Sequence, residues 1–305
     1  MLDRLAYQFI RPFPFGEKVA FFRKVFYFFL LINALSLLPI AYELYGYHGI
    51  VGTGGWNTSV PWYGQGSRVL INFLSHPINA GRPWIMLIFV VGQILALILG
   101  IVKVWPRLMA VLIYFFTANL FVKGYLAFTG GEALMSLLLF YLIFIEDPTA
   151  KSNRVGGTSF LQNVLNNTFY WIIIIQVMIL YFFSTLYKLT DGHWLDGSAM
   201  MYIARVDAFS GESMRFLFSD SPTLSLIVTY LVLLYQGLFP VLVWIKPLKI
   251  QFLTVGIALH LGIAFGMGIF TFGIIMCLVY LLFLEEDGIV KIRKFLSRFF
   301  GRAMD

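Results

Sequence analysis

Charge and cysteine are what this chain has least of. Only 12% of its 305 residues are Asp, Glu, Lys or Arg, where a water-soluble domain averages about a quarter. A lone cysteine, Cys277, excludes an internal disulfide, and excludes dithiol exchange, which needs a resolving thiol. The chain has 4 histidines, and no His/Cys/Asp/Glu set stands at ligand spacing, so no metal centre is expected. Haem is a poor fit as well: His48, His76 and His193 fall in expected loops, leaving His260 without a facing histidine. Gly-rich phosphate loops and a Ser/His/Asp set are missing too. No cleavable leader is recognisable ahead of the first apolar run.

What is present is apolar. Sixty per cent of the residues are hydrophobic, in continuous runs and not in alternation, which points to helices and away from a barrel. Eight stretches read as membrane spans: Lys24 to Tyr45, Trp84 to Val104, Arg107 to Phe128, Glu132 to Ile145, Thr168 to Tyr187, Thr223 to Ile245, Ile250 to Met267, and Phe270 to Leu284. The fourth and eighth are short. The expected fold class is therefore an all-α membrane protein, a bundle of about eight transmembrane helices with two long outer loops, Gly46 to Pro83 and Lys188 to Pro222.

Lys and Arg concentrate at the two ends and in the short loops on the same side. By the positive-inside rule both termini face the cytoplasm, in the inner membrane of a bacterial host. The net charge of +7 is then matched to anionic headgroups of a lipid bilayer, with no nucleic acid as partner. Residues 1–24 read as an interfacial segment, 25–284 as the membrane domain and 285–305 as a basic amphipathic tail. Leu142 to Asp147 echoes Leu282 to Asp287, Pro106 echoes Pro247, and Gln93 echoes Gln236. These matches suggest parallel four-helix repeats over 25–147 and 168–287.

Ionisable groups inside apolar runs are costly and mark candidate sites. His260, mid-way along the seventh run, reads as a ligand, a proton relay or a packing hydrogen bond. Lys188 closes the fifth run. It reads as a snorkelling anchor or, in a low-dielectric pocket, as a general base, because burial disfavours the ammonium. Asp191, His193 and Asp196 cluster around Trp194 and Gly197, where they could orient a base, bind a headgroup, or cap a turn. Glu132 opens the fourth run after Gly130 and Gly131, where a capping role is as natural as a functional one. A pocket under the outer loops would gather Lys188, Glu132, His260 and the Trp194 turn.

The stretch from Tyr181 to Tyr202, with its Lys-x-x-x-x-x-Trp-Leu-Asp-Gly element from Lys188 to Gly197, resembles the core motif of the HTTM (horizontally transferred transmembrane) family, related to vitamin K-dependent gamma-glutamyl carboxylase. Gly130 to Leu134 resembles that family's Gly-Gly-acid opening of a helix, and His260-Leu261-Gly262 followed by Gly268-Ile269-Phe270 its late histidine helix. The resemblance implies catalytic roles for Lys188, as base, and His260. It implies a pocket or cofactor site around Gly131, Glu132, Tyr181, His193, Trp194, Asp196 and Gly197, and a reduced quinone of vitamin K type as cofactor. The expected function is a carboxylase-like membrane enzyme acting on a quinol or lipid. The alternatives are a non-catalytic maturation factor for a secreted peptide or protein, and a small-solute transporter. The stretch matching Gly130 to Glu132 departs from the carboxylase in having no histidine, and the chain has no room for a large propeptide-gripping domain.

Overall fold

The computed structural model describes residues 7–45, 84–123, 129–147 and 160–300, without the side chains of 45, 84–86, 122–123, 296–297 and 299–300. The first long loop, with His48 and His76, lies outside the described residues. All regular elements among the described residues are helical. In chain order they are α1 (Gly16–Leu37), α2 (Ala41–Tyr45), α3 (Trp84–Ile101), α4 (Pro106–Lys123), α5 (Gly130–Phe144), α6 (Phe160–Lys188), α7 (Gly192–Leu195), α8 (Ala199–Ala204), α9 (Glu212–Phe218), α10 (Pro222–Leu242), α11 (Lys246–Gly266), α12 (Phe270–Val279) and α13 (Glu286–Phe300).

The expected eight-span bundle is overturned. Among the described residues, 4 helical stretches are long and apolar enough to cross a membrane: Gly16–Leu44, Phe160–Lys188, Pro222–Leu242 and Lys246–Gly266. The other apolar helices, Leu87–Ile101, Pro106–Phe121, Gly130–Phe144 and Phe270–Phe283, fall short of that length. The reason is geometric. At about 1.5 Å per residue a helix such as α5 reaches only some 22 Å, against a hydrocarbon core of ~30 Å. Hydropathy marks an apolar run without measuring how much of it stays helical. The multi-pass inner-membrane location with both termini cytoplasmic rests on eight alternating spans, and is overturned with them.

The chain divides into two compact units, Met1–Phe169 and Tyr170–Asp305. In the first, α1, α3, α4 and α5 pack in sequence around Phe22, Phe26, Leu30, Ile113, Leu134 and Leu138, all buried. Polar side chains close the C-terminal end of α5. Arg23 donates to the carbonyls of Leu142 at 3.1 Å and Ile145 at 2.5 Å, with the Asp147 carboxylate 4.0 Å away. Gln162 donates to the Phe144 carbonyl, and Asn166 accepts from the Glu146 N–H. Asn167 donates to the carbonyls of Phe9 and Arg11. These residues also explain two displaced boundaries. α1 begins at Gly16, ahead of Lys24, and α6 begins at Phe160, ahead of Thr168, because the charged and amide groups in those first turns are buried and bonded.

In the second unit, α10, α11 and α12 pack in chain order. The long segment after Lys188, expected as a loop, folds into three short helices, α7 to α9, and a 3-10 turn at Asp207–Phe209. Met200, Ala204, Met214 and Phe218 form a small core within this cap.

Candidate functional site

The second unit carries a half-open cavity of about 830 Å³, within the roughly 300–1,000 Å³ typical of small-ligand sites. Its walls are apolar: Leu231 and Leu234 from α10, Phe252, Val255 and Leu259 from α11, and Phe272 from α12. The cap lays Met200, Met214 and Phe218 against it. Lys188 is the one charged side chain among the residues that line it.

Lys188 is half-buried at the last turn of α6. Its Nζ donates to Ser184 Oγ at 2.8 Å, one turn back, and Ser184 Oγ donates to Gln236 Oε1 on α10 at 3.3 Å. The ammonium stands 4.9 Å from the centroid of the Trp194 ring, a favourable placement over an aromatic face. Among the described residues no carboxylate pairs with it. An ammonium has three N–H donors, so two remain for a ligand.

The turn that carries Trp194 is built locally. Asp191 caps α7 by accepting from the His193 N–H at 2.9 Å. Asp196 accepts from both the hydroxyl and the N–H of Ser198, and these bonds hold its carboxyl below the usual carboxylate range. His193 is exposed, lies tilted against Tyr202 with ring centroids 4.0 Å apart, and has Nδ1 3.3 Å from Ser198 Oγ. Because the Ser198 hydroxyl donates to Asp196, it is not set up as a nucleophile for His193. Gly197 has φ +81°, and a Cβ there would stand 3.0 Å from Leu226. Gly197→Ala is therefore expected to cost at least ~1–2 kcal/mol from the left-handed backbone alone, read as a lower unfolding midpoint. An unchanged midpoint would mean that the turn can refold around a side chain.

Three hydroxyls on α10 pin this turn in place. Ser225 donates to the Gly197 carbonyl at 3.1 Å and accepts from the Met201 N–H, Thr229 accepts from the Met200 N–H, and Tyr230 donates to the Leu195 carbonyl at 2.7 Å. The sequence reading overlooked Ser225, Thr229 and Tyr230. Their signal was available: Ser225 and Thr229 are four apart in an apolar helix, hence on one face.

His260 and Tyr181 meet behind the cavity wall. His260 is 1% exposed, and its Nε2 shares a 2.6 Å hydrogen bond with the Tyr181 hydroxyl. Tyr181 shares a short bond with Tyr280, and Tyr280 one of 2.9 Å with Tyr235. The four side chains come from α6, α10, α11 and the 3-10 turn Tyr280–Phe283, so the network ties four elements together. Neither His260 nor Tyr181 lines the cavity, but Tyr235 does, next to Gln236. Lys188 and Trp194 are thus brought together at the cavity, and Tyr181 and His260 are brought together beside it.

No family model matches the chain, and no solved structure matches it. Among curated proteins it is similar to the uncharacterized protein YitO of Bacillus subtilis (strain 168), 29% identical over 201 residues, which cover 62% of this chain and 64% of that protein. The chain thus matches less than two thirds of the length of that relative. The HTTM assignment is overturned: no family model supports it, and the four membrane-length helices do not make its fold. The carboxylase-like membrane enzyme, with its maturation-factor and transporter alternatives, was tied to that multi-span architecture and is overturned with it.

Gly131 and Glu132 lie in the first unit, where their contacts are local. Thr129 caps α5 by accepting from the Gly131 N–H at 3.1 Å, and the Glu132 carboxylate accepts from the Thr129 N–H at 2.8 Å and from its hydroxyl. This is a complete capping box, which satisfies N–H groups that a helix start leaves open. Among the described residues no group of three or more His, Cys, Asp or Glu is placed to hold a metal ion.

Proposed function

We propose that the second unit binds a lipophilic small molecule whose polar, electron-rich head meets Lys188 and whose apolar body fills the cavity. The observation that carries this reading is an ammonium at the edge of an apolar cavity of about 830 Å³ with no carboxylate partner among the described residues. A charge held against apolar walls is costly unless something pairs with it. Ser184 and Trp194 hold the lysine in one orientation, which supports a site built for a particular head. The class includes long-chain acids and a reduced quinone. Molecules of this kind partition into membranes, so a lipid bilayer is the partner that supplies them.

Mass spectrometry of organic extracts tests the reading, with wild-type protein beside Lys188→Met, both purified in the same mild detergent. One amphiphile class is expected to be enriched in the wild type and depleted several-fold in the variant. Equal, unselective lipid in both samples would reduce Lys188 to a surface anchor and sink the proposal.

A further inference from the structure

The cation in the cavity wall, Lys188, narrows the head to one chemistry. We infer that the ligand is a single-chain carboxylate, with its head on Lys188 and its hydrocarbon chain along α10 and α11. This rests on the binding function proposed above and specifies its ligand. Lys188 contributes one positive charge, and among the described residues no other charged side chain lines the cavity. A singly ionised carboxylate balances it. A phosphate monoester carries about 1.5 to 2 negative charges near neutrality, and would leave excess charge facing Leu231, Val255 and Phe252. A neutral head, whether ester, alcohol or quinone, would leave the ammonium uncompensated.

Hydrogen-bond supply agrees with charge. Lys188 spends one N–H on Ser184 and keeps two for the two oxygens of a carboxylate. Ser184 cannot compete for the ligand as a donor, since its hydroxyl proton goes to Gln236 Oε1. With Oε1 so engaged, Gln236 offers the cavity its amide N–H groups, a second donor suited to an anionic head. The remaining lining suits methylenes, and Gly262 on the α11 wall, with nothing within 4 Å of where a Cβ would stand, keeps the channel wide.

The test uses the full chain in amphipol and measures saturable binding of radiolabelled palmitic acid, methyl palmitate and a decyl-substituted benzoquinone, at a pH where the acid is ionised. Wild type is expected to prefer palmitate over the ester by roughly tenfold to a hundredfold, the worth of a hydrogen bond to a charged group. Lys188→Gln should erase that preference, and Lys188→Arg should keep most of it, which separates lost charge from lost folding. Ester or benzoquinone binding as tight as palmitate would overturn the carboxylate assignment and leave the cavity reading standing. A palmitate preference that survives Lys188→Gln would overturn the placement of the head. Saturable binding of none of the three would remove the cavity reading, and this inference with it.

Discussion

Gly256→Ala is expected to destabilise the second unit by about 3 kcal/mol or more, combining overpacking with the loss of buried hydrogen bonds. A Cβ at this position would stand well inside the hydroxyl oxygens of both Tyr235 and Tyr280. Those two hydroxyls share a bond, and through Tyr181 they reach His260, so moving them breaks the network that joins α6, α10, α11 and the turn at Tyr280. The neighbours cannot yield cheaply. Tyr235 stacks on Phe252 at 4.7 Å, and Tyr280 stacks on Phe239 at 5.7 Å.

The same helix supplies a control. Nothing lies within 4 Å of a Cβ built on Gly262, so Gly262→Ala should be neutral or stabilising by up to about 1 kcal/mol from helix propensity. Thermal unfolding of both variants in one detergent makes the comparison. Tyr235→Phe removes the closest obstructing atom and should recover part of the loss when combined with Gly256→Ala. Equal midpoints for Gly256→Ala and Gly262→Ala would show that the hydroxyl cluster does not depend on that glycine.

What could be read in the sequence was what is local or chemically expensive. Glu132 and the glycines before it announced a helix start, because capping is decided within four residues. Lys188 and Trp194 stood out as a cation and an aromatic six apart around a turn, and the structure brings them to one cavity. Histidine in an apolar run singled out His260, but nothing in the run named its partners. Tyr181, Tyr235 and Tyr280 are three of 16 tyrosines, and which of them converge depends on helix packing that hydropathy does not encode. The span count failed for a related reason. The run expected from Phe270 to Leu284 stays α-helical only to Val279, and Gly130–Phe144 is 15 residues long, so apolar runs become helices too short to span. Gln162, Asn163, Asn166 and Asn167 precede the expected start at Thr168, yet their i, i+4 spacing is that of a helix with one amide face turned inward.

Arg23 is the clearest case of a residue whose meaning changed between sequence and structure. As sequence it counts among the basic residues flanking the first apolar run. In the fold it is 5% exposed, and its guanidinium answers two carbonyls at the end of α5. Carbonyls at a helix C-terminus lack intrahelical partners and carry the negative end of the dipole, so a cation there is doubly favoured. Arg23→Met keeps most of the apolar stem but strands two carbonyls at the end of α5. The expected cost is roughly 3–5 kcal/mol, the range for breaking a buried charged contact by removing one partner. Asp147→Asn should cost clearly less, because its ion pair with Arg23 is at 4.0 Å while the carbonyl bonds are at 3.1 and 2.5 Å. Unfolding curves for the two variants decide between them. If Asp147→Asn proved as damaging as Arg23→Met, the arginine would be acting chiefly as a counter-ion, and the account of it as a cap on α5 would fail.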